Sequence, residues 1–255
     1  MSVSETKPLD GHIAVVTGAS RGLGKAVALS IGQAGAKVAL VARDREALKS
    51  VAEEVRKAGV EAEIFQADVT VESQVDGVKR DVLARFGHVD ILVNNAGMSI
   101  RKPLEEFSLE EWEKVIATNL TSVFLMCRAF IPQMKGRGYG RILNMSSILG
   151  HVSIAGRSAY STSKAGLLGM TRALALELAN EKITVVAISP GYFATEINTT
   201  FMDDPVLNSQ FLSRTPVGRW GEPREIGQLA RFLCSPDAGF ITGIDILIDG
   251  GWTAQ

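Results

Sequence analysis

The chain is poor in the residues that carry metal, disulfide and nucleic-acid chemistry. Its 255 residues include two cysteines and three histidines. Cys127 and Cys234 fall in predicted helices far apart in sequence, with no C-x-x-C pair and no histidines at ligand spacing. Both read as small buried thiols, and neither a structural metal nor a disulfide is expected. A net charge of −1, from 27 Lys and Arg against 28 Asp and Glu, leaves no basic excess for a nucleic-acid partner. The polar start through Leu9 has no apolar run, and no later segment offers the uninterrupted apolar length a bilayer span requires. A soluble, cytoplasmic protein without membrane partners is expected. No shift in composition marks a domain boundary.

What is present is a regular alternation. Short runs rich in Val, Ile and Leu predict strands over residues 13–16, 37–42, 62–66, 89–93, 141–145, 184–188 and 244–248. Between them, helical periodicity covers the stretch ending near Ala34 and residues 45–58, 71–86, 109–133, 158–178 and 224–233. Alternating strands and helices imply right-handed crossovers and a mainly parallel sheet covered on both faces. The continuous apolar strands agree with burial on both sides. The expected fold is a single α/β domain spanning residues 1–255.

In such folds ligands lie beyond the carboxyl ends of the strands, so those ends hold the candidate residues. After the first strand comes Gly18-Ala19-Ser20-Arg21-Gly22-Leu23-Gly24, spaced G-x-x-x-G-x-G and running into a helix. Glycines there let the backbone approach a diphosphate, and the helix N-terminus supplies unpaired N–H groups. The second strand ends in Ala42-Arg43, and with Arg21 two arginines favour a 2′-phosphate, hence NADP over NAD. Asp44 is the acid nearest the position that would bind a free ribose hydroxyl, but fits as a helix N-cap. Asp68, beside Val69 after the third strand, could accept from an adenine amino group or cap the next helix. Asn94-Asn95-Ala96-Gly97, Ser146-Ser147 and Pro190-Gly191 follow the fourth, fifth and sixth strands. Asn119 interrupts an apolar helix, so as a buried asparagine it must find partners, as a structural bridge or in a polar relay. Tyr160 and Lys164 stand four apart at the start of a helix, side by side on one face, where a cation favours the phenolate.

Taken together these residues resemble the short-chain dehydrogenase/reductase family, over essentially the whole chain. The resemblance implies a Rossmann-type doubly wound parallel sheet with helices on both faces. It also implies that Tyr160 is the general acid/base, that Lys164 lowers its pKa and holds the nicotinamide ribose, and that Ser147 polarises the substrate carbonyl. Asn119 would support a water chain through Lys164. Ser147 rather than Ser146 is implied, because the family places its serine thirteen residues before the tyrosine, as 160 − 147 = 13 gives here. Gly18, Ser20, Arg21, Gly22, Leu23 and Gly24 would hold the pyrophosphate and 2′-phosphate, Asn95, Ala96 and Gly97 would flank the adjoining ribose, and Pro190, Gly191, Phe193 and Thr195 would hold the nicotinamide.

Substrate choice in this family lies in the variable segments. Residues 192–219 form a long connection expected to act as a mobile lid. Its sequence resembles the gluconate 5-dehydrogenase branch, in which Arg101 and Arg157 would clamp a sugar-acid carboxylate such as that of 5-ketogluconate. Each arginine could instead be a surface charge or an intersubunit partner. His151 could touch substrate or be a plain loop histidine, while His12 and His88 read as structural. The rival readings are a 3-oxoacyl-carrier-protein reductase, a broad carbonyl reductase and, from another class, a non-catalytic NADP-binding sensor. The resemblance also implies a homotetramer.

Overall fold

Ile13–Thr17 (β1) is buried along its whole length, and side chains from its two sides enter two separate cores. The computed structural model describes residues 7–254, without the side chain of Ile197. The polar start at residues 1–6, read above as free of any apolar run, lies outside the described residues. After β1 the order is α1 (Gly22–Gln33), β2 (Lys37–Ala42), α2 (Arg45–Lys57), β3 (Ala62–Gln66), α3 (Glu72–Phe86) and β4 (Ile91–Asn94). There follow α4 (Leu109–Ile116), α5 (Ser122–Met134), β5 (Gly140–Met145), α6 (Ser158–Leu178) and β6 (Ile183–Pro190). The chain ends with α7 (Thr199–Asp203), α8 (Pro205–Ser213), α9 (Pro223–Cys234) and β7 (Asp245–Ile248).

Seven strands form one sheet in the order β3-β2-β1-β4-β5-β6-β7, every pair parallel. The order reverses between β1 and β4, which places the ends of those strands at the crevice where ligands bind such sheets. Ala14, Val16 and Leu40 face one core with Val27, Ile31 and Ile226 from α1 and α9. Val15, Ala39 and Leu92 face the other with Val78, Phe130 and Leu167 from α3, α5 and α6. The two helices over the first core approach closely at Gly227, where an added Cβ would stand 2.2 Å from Ser30 Oγ.

The helix expected over residues 109–133 is interrupted by a π-helical turn at Ala117–Thr121, with Asn119 wholly buried inside it. Residues Leu109–Met134 are, by length and composition alone, apolar enough to cross a membrane, which corrects the reading that no segment is. Half of that stretch's most apolar 18-residue window is buried, and Val115, Met126 and Phe130 lie in the core, so it serves as a core helix here. Within residues 192–219 the chain forms α7 and α8 rather than an unstructured connection. Asp204 caps α8 through Val206 and Leu207 N–H, and Phe211 packs on Tyr192 at 4.5 Å between ring centroids.

Candidate active site

The turn between β1 and α1 depends on glycine at two points. Gly18 and Gly22 have φ of +62° and +54°, a region that disfavours other residues. A Cβ on Gly24 would lie 2.3 Å from the Gly18 carbonyl oxygen, so the turn and the helix touch backbone to backbone. Asn95 locks this turn to the end of β4. Its side-chain amide donates to the Thr17 and Gly18 carbonyls at 3.0 and 3.1 Å, while Asn95 and Ala96 N–H groups donate to Thr17 Oγ1. The Asn95 amide, expected beside a ribose, is therefore already engaged in holding the turn.

Helix α1 begins with no side-chain cap and no acidic residue in its first turn. Helices α2 and α4 differ, being capped by Asp44 and by the reciprocal Ser108–Glu111 box. Uncapped N–H groups beside a glycine turn fit a diphosphate, so a dinucleotide suits this cradle. Asp44 is an N-cap, accepting from Glu46 and Ala47 N–H through Oδ1. Arg43 is exposed at the end of β2, with a guanidinium nitrogen 3.8 Å from Asp68. Asp68 accepts from both the backbone and the hydroxyl of Thr70 in the turn before α3, whose N-cap position is Val71. Burial raises the Asp68 pKa, but the Thr70 bonds and Arg43 leave it below the usual carboxylate range. Thr195 and Glu196 lie over the glycine turn, each about 3.6 Å from the place of a Gly22 Cβ. Phe193 is buried against Gly221, and Gly191 against the Cβ of Asp249, at the ends of β6 and β7.

The catalytic candidates converge from three elements. Ser147, after β5, accepts from Leu149 N–H at 3.1 Å, and its hydroxyl is near enough to the Tyr160 phenol to favour the phenolate. Neighbouring Ser146 donates instead to the Lys164 carbonyl at 3.0 Å, which tethers α6 and leaves Ser147 as the serine facing the phenol. Burial pushes the Tyr160 pKa up, and the Ser147 hydroxyl and the Arg157 charge oppose that rise. The Lys164 ammonium stands 5.6 Å from the Tyr160 ring centroid, donates to the Met145 carbonyl at 2.7 Å, and is pushed down to about 8 by burial. Arg157 is a further cation whose charge favours the Tyr160 phenolate.

Asn119 accepts from Met98 N–H at 2.8 Å and donates to Met98 carbonyl and Ser163 Oγ at 2.9 and 3.0 Å. It is thus the structural bridge between α6, the helix it interrupts and the segment after β4. Gly97 leaves the space between it and Lys164, since a Cβ there would be 3.4 Å from Asn119 Oδ1 and 3.6 Å from Lys164 Nζ.

Around the substrate side, Arg157 donates to Ser99 Oγ, while its Nε is buried without a partner. Arg101 reaches the same place: a Cβ on Gly156 would be 3.4 Å from Arg101 Cγ. Burial first, and then the Arg101 charge, lower the Arg157 pKa. His151 pairs through Nε2 with Asp245 on β7, and Asp245 also accepts from Ser189 Oγ at 2.8 Å. Its ring is thus held by the edge strand.

Sequence reading missed Tyr192. Its ring lies among Phe211, Trp220 and Trp252, and its hydroxyl side senses Arg157, Arg101 and Arg214. Position directly after Pro190-Gly191 was the available signal. Ser99 and the Met145 carbonyl, as anchors of the two cations, had no sequence signal at all. Among the described residues there is no cluster of metal-ligating side chains.

A doubly wound sheet with a glycine-turn cradle and a Ser–Tyr–Lys set at its strand ends defines a nicotinamide-dependent oxidoreductase. Residues 18–253 match the family described as enoyl-(acyl carrier protein) reductase. The chain is 44% identical over 242 residues to acetoacetyl-CoA reductase of Rhizobium meliloti, covering 94% of this chain and 98% of that protein. It is 40% identical over 245 residues to 3-oxoacyl-[acyl-carrier-protein] reductase of Synechocystis, covering 95% and 97%. A solved structure from Beutenbergia cavernae, provisionally assigned as an NAD(P)-dependent gluconate 5-dehydrogenase and holding NADP at low occupancy, superposes with a TM-score of 0.92 at 37% identity, covering 98% and 100%. The chain belongs to the short-chain dehydrogenase/reductase family, and it is an oxidoreductase acting between CH–OH and C=O.

Proposed function

We propose that the protein is an NADPH-dependent reductase of a keto-sugar acid such as 5-ketogluconate, or the dehydrogenase of the corresponding hydroxy acid. One observation carries the substrate class: the Arg157 charge acts on the Tyr160 phenol, the Arg101 charge acts on Arg157, and Arg157 Nε is buried with no partner. A buried donor without an acceptor costs about 1–3 kcal/mol, which a substrate carboxylate would recover. Arg21 and Arg43 at the adenosine end support NADP. A bound nicotinamide supplies or accepts hydride, chemistry that belongs to the cofactor. Tyr160 exchanges the proton at the substrate oxygen, Ser147 orients that oxygen, and Lys164 and the glycine turn hold the nucleotide. The α7–α8 segment, with Thr195 across the glycine turn, would act as the lid.

A second reading is reduction of a 3-oxoacyl thioester, favoured by the names of the two curated relatives. A carrier protein would seek unneutralised surface cations. In the groove between α3 and α5, Arg128 is paired with Glu72 and Lys79 with Asp76, which weighs against that docking face. Oxidation of NADPH and NADH by 5-ketogluconate, an acetoacetyl thioester and aryl ketones, with Tyr160→Phe as control, separates these readings. Assembly as a cytoplasmic homotetramer belongs to the same proposal. Leu176 on α6 is 83% exposed and Phe124 on α5 47%, apolar area that a partner copy would cover. Light scattering is expected to give four chains, and a monomer at micromolar concentration would reject that assembly.

A further inference from the structure

Ser147 stands at the head of a short turn whose far end is fastened to another part of the sheet. The Ser147 carbonyl accepts from Gly150 N–H at 2.9 Å, and the Ile148 carbonyl accepts from both His151 and Val152 N–H at 3.0 Å. Residues 147–152 are thus one closed turn, with Ile148 and Leu149 buried beneath it. Gly150 brings the turn onto α6, since a Cβ there would lie 3.1 Å from the Lys164 carbonyl carbon and 3.2 Å from Ser146 Oγ. A turn so bonded moves as a unit, and whatever holds its far end bears on the place of the Ser147 hydroxyl. That far end is His151. Its Nε2 meets Oδ2 of Asp245, the first residue of β7, and because a carboxylate only accepts, Nε2 carries the proton. Asp245 is itself fixed: its carboxylate is 12% exposed, and its other oxygen accepts from Ser189 Oγ on β6 at 2.8 Å.

We propose that His151, tethered through Asp245 to Ser189, is a positioning residue for Ser147, acting through the 147–152 turn on how the Ser147 hydroxyl meets the substrate oxygen. In this role the imidazole touches Asp245 rather than the substrate. A surface turn held by its own backbone bonds alone opens readily, and a side-chain bond to a neighbouring strand raises the cost of opening. The role rests on Ser147 as the serine that orients the substrate oxygen, and on no particular class of carbonyl.

The test is a double-mutant cycle between His151 and Ser147. Initial rates are taken with NADPH and whichever of 5-ketogluconate and an acetoacetyl thioester the wild type turns over faster. His151→Leu and Asp245→Ala should each lower kcat about tenfold, as a misplaced catalytic group does, with the KM for NADPH unchanged. His151→Gln, which keeps a donor within reach of Asp245, should recover most of that loss. In a Ser147→Ala background, His151→Leu should cost little more, because its effect passes through the missing hydroxyl. Without any substrate, amide hydrogen exchange over residues 149–152 should quicken about tenfold in His151→Leu, the consequence of losing one hydrogen bond to a charged group. Wild-type kcat in His151→Leu, or a loss that persists in full in the Ser147→Ala background, overturns the proposal alone. An undiminished Ser147→Ala overturns the role of Ser147 and the proposal with it. Should His151→Leu fail to fold, Ser189→Ala, which frees one oxygen of Asp245, carries the test, and wild-type turnover and exchange there overturn it.

Discussion

Arg43 ends β2 with its guanidinium exposed, and Arg21 precedes α1 at an uncapped helix start, so each offers a cation where a 2′-phosphate would lie. Charge-assisted hydrogen bonds of that kind are worth roughly 1.5–3 kcal/mol each, about tenfold or more in affinity. The double substitution Arg21→Ala/Arg43→Ala should therefore raise the KM for NADPH by about a hundredfold and leave NADH little changed. Parallel KM measurements with both nucleotides check this, and equal losses for the two would contradict it. At this scale the sequence was informative where a backbone needs glycine or a pair needs a fixed spacing, as at Gly18, Gly22 and Tyr160–Lys164. It was silent where an interaction joins distant residues. Nothing in the order of residues places Lys164 Nζ on the Met145 carbonyl, or Arg157 on Ser99.

The interrupted helix shows the same boundary between local and tertiary information. Apolar periodicity made the helix legible, and the Ser108–Glu111 box marked its start. The π-helical turn at Ala117–Thr121 was not legible, because it follows from the three bonds Asn119 makes to Met98 and Ser163. Extra residues in a helical turn redirect a side chain, and π-turns recur at functional sites. Asn119→Ala would leave the part-buried Met98 N–H and C=O without these partners, at a cost of about 1–3 kcal/mol. A fall in denaturant midpoint is the expected result, with retention of activity in the folded fraction lower than in Ser163→Ala, which removes one bond alone. Residues 192–219 read as a lid by length and proline content, whereas α7, α8 and the aromatic packing of Tyr192 on Phe211, Trp220 and Trp252 depend on contacts between distant segments.

At the scale of the molecule, a mainly parallel sheet covered on both faces follows from strand and helix alternation, and so was recoverable. The network at the opposite ends of the central strands was not. There Asp90, buried at the start of β4, accepts from Ile13 N–H at 2.9 Å and faces His88, His12 and Arg137. This ties the beginnings of β1 and β4 together and accounts for His12 and His88 as structural residues. Burial raises the Asp90 pKa, but the His12 bond, the Ile13 N–H and the histidine charges leave it below the usual carboxylate range. A carboxylate depressed in the folded state adds stability above its unfolded pKa, and that stability is lost as pH falls through the folded value. Asp90→Asn should cost about 2 kcal/mol near neutrality and flatten the acid limb of stability below about pH 4. Urea unfolding across pH tests it, and an unchanged acid limb would contradict the assignment.

On the proposed function, a Ser147–Tyr160–Lys164 set reduces a small keto acid with NADPH. The most direct test is the initial rate of NADPH oxidation with 5-ketogluconate beside an acetoacetyl thioester, for the wild type and for Tyr160→Phe. The higher kcat/KM is expected for 5-ketogluconate, with a loss of about a hundredfold to ten-thousandfold in Tyr160→Phe, the contribution of a general acid/base. Turnover of the thioester in preference would contradict the keto-acid assignment, and an undiminished Tyr160→Phe would contradict the chemistry.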